Sequence, residues 1–366
     1  MKTYQLLGLP ALAAATKHHL FVGTFSGANL YAVEFDDEAL SLTLTKNITA
    51  NAAHAWINLS HDKKNLYAVE DGGWDSYTVD NSSSLTHNSY IPISGNCSTT
   101  RSIFVLSATK APYNVYGDPF GNCANVLSVD EDGALAAVAQ NISYGTDSGV
   151  HGLAMSPDGA FVYSADDSGN AVWTHSVDAA TGLLTQVDSL AAPSTGADPR
   201  HAAVHPGGKF LYVVLEGANQ LAQYSLDPAT GVPTFTNVTF PLIPQSELES
   251  NNDNYWSDDV MVASSGTFLW ASSRSRDETL PGYISGYSLS ATGAITKQIF
   301  LTNTTTSGGS ANAVTAAPFS DEFVALTDTQ EEFLQIWRYV NGTTAEVVAR
   351  LDLQDGGCCA NAVWVD

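Results

Sequence analysis

Positive charge is scarce in this chain: Lys and Arg together number 14 against 38 Asp and Glu, leaving a net charge of −24. Nucleic acid and anionic membrane surfaces are gripped through basic patches, so neither is expected as a partner. Charged residues of both signs make up only 14% of the sequence, where an average soluble domain carries roughly 25%. Beyond the N-terminal stretch no apolar run approaches the ~20 residues that a membrane-crossing helix requires. Cysteine is confined to Cys97, Cys123, Cys358 and Cys359, without a C-x-x-C spacing or a neighbouring histidine, so a zinc pattern is excluded. The G-x-S-x-G elbow, the P-loop and H-E-x-x-H are all missing. Apolar residues hardly ever recur with a 3.6-residue period, which removes the helical fold classes.

The N-terminus carries the one long apolar stretch. Lys2 precedes Leu6–Ala15, and Ala13-Ala14-Ala15 offers a small-residue cleavage site before Thr16. This reads as a secretory leader over residues 1–16, followed by one domain over 17–366. The C-terminal Asn361–Asp366 carries neither a GPI tail nor a retention address, so export to the outside or the cell wall is expected. Eight N-x-S/T sequons begin at Asn47, Asn58, Asn81, Asn96, Asn141, Asn237, Asn303 and Asn341. Chance placement would give roughly four. Asn58, inside an apolar strand pattern, is the first that should stay unused. In an exported protein the four cysteines are disulfide candidates, with three pairings open.

What the sequence does have is short alternating runs punctuated by Gly, Asp, Asn and Pro, and a self-similar unit of about fifty residues. Gly152-Leu-Ala-Met-Ser-Pro-Asp-Gly-Ala-Phe-Val-Tyr163 parallels Ala202-Ala-Val-His-Pro-Gly-Gly-Lys-Phe-Leu-Tyr212, with a weaker copy at Trp56–Tyr67. First strands fall near Ala55, Ser102, His151, His201, Asp259, Asn312 and Asn361, which counts to seven. The last copy ends after one strand. Three further strands stand at the N-terminus, at His19–Gly23, Asn29–Phe35 and Leu40–Lys46. The sequence thus predicts an all-β, seven-bladed β-propeller of four-stranded blades, closed by pairing N- and C-terminal strands in one blade so that no sheet edge stays open. Pro241–Ser257 reads as a long loop of the kind that borders sites.

In such a ring, the loops leading into first strands and out of second strands meet at one mouth of the central channel. The polar residues at those points are Trp56, Glu70, Arg101, His151, Asp166, Arg200, His201, Glu216, Asp258, Arg274, Asn312, Asp328 and Asn361. Of only six arginines, three are in this set. Guanidinium groups bind carboxylates and phosphates bidentately, so the mouth suits a small anionic ligand. Alternatively, Glu70, Glu216 and Asp258 neutralise these arginines and the pairs fasten blades together. His151 is a candidate acid or base. Glu216 is either an acid/base or the counter-ion of Arg200. His205, in His-Pro-Gly-Gly, reads as a turn residue. Asp71, Asp75, Asp166 and Asp167 read as solvated loop carboxylates; neither a metal nor a cofactor is expected.

Several segments resemble the fungal 3-carboxy-cis,cis-muconate lactonizing enzymes, within the wider lactonase group that includes 6-phosphogluconolactonase. They are His18–Thr24, Thr100-Arg-Ser-Ile-Phe104, Gly149-Val-His-Gly152, Asp198-Pro-Arg200, His205-Pro206, Asn219, Ala271-Ser-Ser-Arg274, Ser307-Gly-Gly309, Asn312-Ala-Val314 and Asn361–Trp364. The resemblance implies a metal-free cycloisomerase in which a substrate carboxylate adds across a conjugated double bond to close a γ-lactone. It implies His151, Arg200, Glu216 and Arg274 as catalytic residues: the arginines stabilise developing negative charge, and His151 or Glu216 protonates carbon. Arg101, His201, Trp56 and Asn312 would bind substrate. Two other functions fit the same residues: a lactone hydrolase, and a non-catalytic secreted glycoprotein that binds small anions.

Overall fold

The computed structural model describes residues 16–97, 101–354 and 357–366, so most of the expected leader lies outside the described residues. Seven four-stranded antiparallel sheets follow one another along the chain. The first blade is assembled from both ends: Lys17–Val22, Asn29–Asp36 and Ser41–Thr49 are completed by Ala362–Trp364 as the innermost strand. Leu20 pairs with Trp364 and Val22 with Ala362, so the ring closes as the repeat count required. The innermost strands of blades two to seven are Ile57–Leu59, Ser102–Ser107, Val150–Met155, Pro199–Val204, Tyr255–Val262 and Val314–Ala316. Among the described residues no helix is long and apolar enough to cross a membrane.

The fifty-residue repeat has a physical basis in the joints between blades. Tyr67, Tyr116 and Tyr163 sit on second strands, and each hydroxyl donates to a glycine carbonyl in the last turn of the next blade. The acceptors are Gly133 at 2.8 Å, Gly182 at 3.1 Å and Gly231 at 3.0 Å. Tyr212 donates likewise to Gly293. Burying a phenol hydroxyl without a partner is costly, so tyrosine and glycine recur together. His205 is the turn residue expected, accepting from Gly207 N at 2.9 Å, and its Nε2 also reaches Gly266 O of blade six at 2.8 Å. Between the sheets lie apolar clusters of buried Val, Leu, Ile, Ala and aromatic residues.

Two expectations about the chain's irregular parts resolve differently. The stretch 241–257 is not all loop: it holds a short helix, Gln245–Ser250, and a 3-10 turn, Asn252–Asn254, before the strand begins at Tyr255. No apolar pattern marks so short a helix. The cysteines pair as Cys97–Cys123 and as the neighbours Cys358–Cys359.

Candidate active site

At one mouth of the channel is a cavity of about 330 Å³, lined among others by Trp56, Arg101, His151, Asp167, Arg200, Glu216, Trp256, Asp258 and Arg274. Backbone irregularities put three of them there, His151, Arg200 and Asp258. In blades three to six the pairing of innermost and second strands shifts register at Ser102/Phe104, Val150/Gly152, Pro199/Ala202 and Ser257/Val260. Ile103, His151, Arg200, His201, Asp258 and Asp259 are the residues bypassed. A bulge leaves its extra residue out of the ladder and re-aims the side chain. The same device, repeated around the ring, supplies the site.

Four charges form its floor, Arg200, Asp258 and Arg274 buried and Glu216 partly so. Arg200 Nη1 is 2.6 Å from Glu216 Oε2 and its Nη2 3.1 Å from Asp258 Oδ1. Arg274 Nη2 reaches the same Glu216 oxygen at 3.0 Å, and its Nε lies 3.7 Å from Asp258 Oδ2. Arg274 Nη1 also donates to Ser310 O at 2.7 Å, and its guanidinium stacks 3.7 Å over the Trp256 ring. Asn312 N donates to Asp258 Oδ2 at 2.5 Å. Removing such charges from water costs several kcal/mol per ion, and only partners of this quality offset it. Burial tends to raise the Asp258 pKa, but Arg274 and Arg200 outweigh it and hold this carboxylate below its ordinary range. Arg274 is lowered to about 10, first by burial and then by Arg200, and stays cationic at neutral pH.

The floor is therefore not the plain cationic socket that three convergent arginines suggest. Glu216 is the shared counter-ion of Arg200 and Arg274. Arg101 is exposed and makes no ion pair among the described residues. Among the described residues Arg200 Nε is buried without a hydrogen-bond partner. The exposed Arg101 is the donor that the mouth keeps for an incoming anion.

Two groups at the wall differ in protonation. Burial, then the neighbouring Arg200, pushes the His151 imidazole well below its ordinary pKa, so it is neutral. Burial, then Glu216, raises the Asp167 carboxyl to about 7, so it carries a proton much of the time near neutrality. Asp167 had read as a solvated loop carboxylate. The signal that could have found it is its position, leaving the second strand of blade four just where Glu216 leaves that of blade five. Trp256 was missed because it belongs to the stretch read as loop.

The other expected residues divide. Trp56 lines the cavity and stacks on Phe104 with ring centres 4.5 Å apart. His201, 3% exposed, lies behind His151 and faces the far side of the channel instead of this cavity. Asn312 is fully buried and holds Asp258 through its backbone. Asp166 accepts from Gly149 N, Gly169 N and Trp173 Nε1, fixing the loop beside it. Asn361 bonds Ile57 N and O at 2.9 Å each, joining blades one and two. Asp328 accepts from Glu331 N at 2.7 Å and Glu70 lines a neighbouring cavity; neither reaches this one. Among the described residues no three His, Cys, Asp or Glu side chains gather as metal ligands would.

The family model for the seven-bladed β-propeller lactonases matches residues 19–316. A carboxy-cis,cis-muconate cyclase of Neurospora crassa is 38% identical over 95% of this chain and 99% of its own. Muconate cycloisomerase 1 of Cutaneotrichosporon cutaneum is 29% identical over 93% of this chain and 95% of its own. The periplasmic gluconolactonase of Pseudomonas aeruginosa superposes with a TM-score of 0.79, covering 96% of this chain and 99% of that one, at 18% identity. This last likeness concerns the fold alone.

Proposed function

We propose, from the chain's membership of the seven-bladed β-propeller lactonase family, that it is a cycloisomerase closing a lactone within a polycarboxylate diene of the carboxy-cis,cis-muconate type. The observation that carries this reading is the Arg200–Glu216–Arg274–Asp258 floor, with Arg101 at the rim and a protonated carboxyl, Asp167, on the wall. Arg101 and the outer edge of Arg200 take substrate carboxylates. One carboxylate oxygen bonds to the far carbon of a conjugated double bond. The π pair moves onto the next carbon and into its carboxylate as an enolate-like anion, which Arg200 and Arg274 stabilise. Preorganised donors of this kind are worth about 10²–10³ in rate each.

The proton for carbon comes from Asp167, which then recovers one from water. His151 has none to spare in its neutral form, and the Glu216 carboxyl is engaged by two guanidiniums. No step is routed through a metal. Proteins that open lactones share the fold, so the test is side by side. Purified protein, with chelator present, receives 3-carboxy-cis,cis-muconate in one cuvette and a lactone panel, including 6-phosphogluconolactone, in another. Loss of diene ultraviolet absorbance without proton release from the lactones supports the cycloisomerase. Proton release alone replaces it with a hydrolase, and turnover of neither, despite anion binding, makes the protein a binding glycoprotein.

The proposal includes export and glycosylation. Asn47, Asn81, Asn141, Asn237, Asn303 and Asn341 are exposed on outer strands and turns. Asn58 stands on the channel wall, accepting from Ser107 N at 3.0 Å and Ser107 Oγ at 2.7 Å. Protein secreted by a eukaryotic host should lose mass with N-glycosidase, and the Asn58 peptide should be unmodified; an unchanged mass removes this part.

A further inference from the structure

Behind the cavity wall, polar side chains from three consecutive innermost strands stand in line. His151 Nδ1 of blade four is 3.2 Å from His201 Nε2 of blade five. His201 Nδ1 is 3.1 Å from Asp259 Oδ1 of blade six, in a bent contact, and has no hydrogen-bond partner of its own. Asp259 is fixed in turn: its Oδ1 accepts from Val260 N at 2.8 Å and its Oδ2 from Val314 N of blade seven at 3.1 Å. The line is packed tightly. A Cβ on Gly152 would come within 2.5 Å of His201 Cδ2, and the His201 ring lies against Trp56 and Phe104 at 4.8 and 5.6 Å.

Direction follows from Asp259. A carboxyl that accepts from two backbone N–H groups is held as an acceptor, so His201 keeps its proton on Nδ1, facing it. His201 Nε2 is then a lone pair, and His151 must place its own proton on Nδ1 to meet it. That leaves His151 Nε2 unprotonated, without a protein partner, on a ring that lines the cavity. The partner of the remote nitrogen sets the tautomer of a working imidazole.

We infer that His201 and Asp259 are positioning residues that hold His151 in its Nδ1–H tautomer, so that His151 meets substrate as a hydrogen-bond acceptor at Nε2. This rests on the proposed function only for the identity of the substrate. Ring opening is closure run backwards, so the Asp167 carboxylate takes back the proton on the carbon beside the carboxylate, the C–H pair forms the double bond, and the lactone C–O bond breaks to give carboxylate. His151 complements Asp167 as a hydrogen-bond acceptor: its Nε2 lone pair faces the cavity for a protonated substrate carboxyl or a water molecule there. The charged groups around the line are Arg101, Arg200 and Arg274 toward His151, and Asp258 and Asp259 toward His201.

The test is read without turnover. Protein labelled with ¹⁵N-histidine is examined by two-bond ¹H–¹⁵N correlation above pH 7, with His151 assigned from a His151→Gln spectrum. The expected result is a pyrrole-type Nδ1 and a pyridine-type Nε2 for His151. His201→Phe, which keeps the aromatic packing and removes the acceptor, should shift His151 toward Nε2–H. His201→Gln, whose amide can accept from His151 and donate to Asp259, should restore the parent pattern. Lactone ring opening should fall about 10–100-fold in kcat with KM unchanged in His201→Phe and recover in His201→Gln, the size of effect that losing an orienting partner behind a working imidazole has. A parent His151 protonated on Nε2, or a His201→Phe spectrum identical to the parent's, overturns the inference. If His201→Phe fails to fold, the parent spectrum decides alone. A correct tautomer without turnover leaves the line standing and sinks the proposed substrate.

Discussion

The two mouths of the channel are walled by the same seven innermost strands and share almost nothing chemically. At one end, at or near the strand starts, stand Trp56, Arg101, His151, Arg200, Asp258, Ser310 and Ala360, around a cavity of about 330 Å³. At the other, at or near the strand ends, stand Leu59, Leu106, Ala154, Val204, Met261, Ala316 and Trp364, around a wider space of about 610 Å³. Trp56, Phe104 and His201 stand between the two. The difference lies in regularity. Where the strands pair in register they present small and branched apolar residues, as packing demands. Where they bulge, in blades four to six, they present His151, Arg200 and Asp258 to the cavity. Function has been placed where the ladder is already broken, and the regular part of each strand anchors the irregular part.

This contrast can be broken experimentally. The largest effect is expected at the buried floor: Arg274→Met strands Glu216 and Asp258 with one cation between them. It should cost about 3–5 kcal/mol in denaturant unfolding and abolish turnover. Next comes Asp167→Asn, which should lower kcat about 10²–10⁴-fold with little change in KM. Its pH signature has a definite sign. A carboxyl raised to about 7 in the folded state is most stabilising when protonated. Its contribution is complete below the unfolded carboxylate range and is lost as pH rises toward 7. Parent stability should therefore fall relative to Asp167→Asn between about pH 4 and 7, and turnover should decline above 7; parallel stability profiles would contradict the assignment. Smaller still is Arg101→Gln, expected to raise KM about tenfold while stability stays within about 0.5 kcal/mol. At the far mouth, Leu106→Ala should cost about 1 kcal/mol of stability and leave kcat/KM within about twofold. A far-mouth effect on KM would mean that the two ends are not separate.

The fold was legible because its repeat is chemical as well as numerical. Tyr163 and Gly231, or Tyr116 and Gly182, are partners in a joint made by four successive blades, so the spacing survives there where the rest diverges. The position of the last strand, Ala362–Trp364, followed from counting. His151, Arg200, Glu216 and Arg274 could be gathered because ring geometry dictates where first strands begin and second strands end. Three things could not be read. Asp167 looks like any acidic loop residue until burial raises its pKa. The bulges that put His151 facing the cavity and His201 behind it leave no mark in a hydrophobic pattern. The neutralisation of Arg200 and Arg274 by Glu216 and Asp258 was legible only as one of two alternatives, because choosing between them depends on distances between blades; those distances give a balanced network with Arg101 at the rim.

The account stands on that network acting on substrate, so the most direct measurement compares the parent with Arg200→Ala on 3-carboxy-cis,cis-muconate, following diene absorbance at saturating substrate. The parent should clear the absorbance catalytically, and the variant should be slower by about 10³-fold or more while remaining folded. A parent that leaves the diene untouched, or a variant that consumes it at the parental rate, would contradict the central claim.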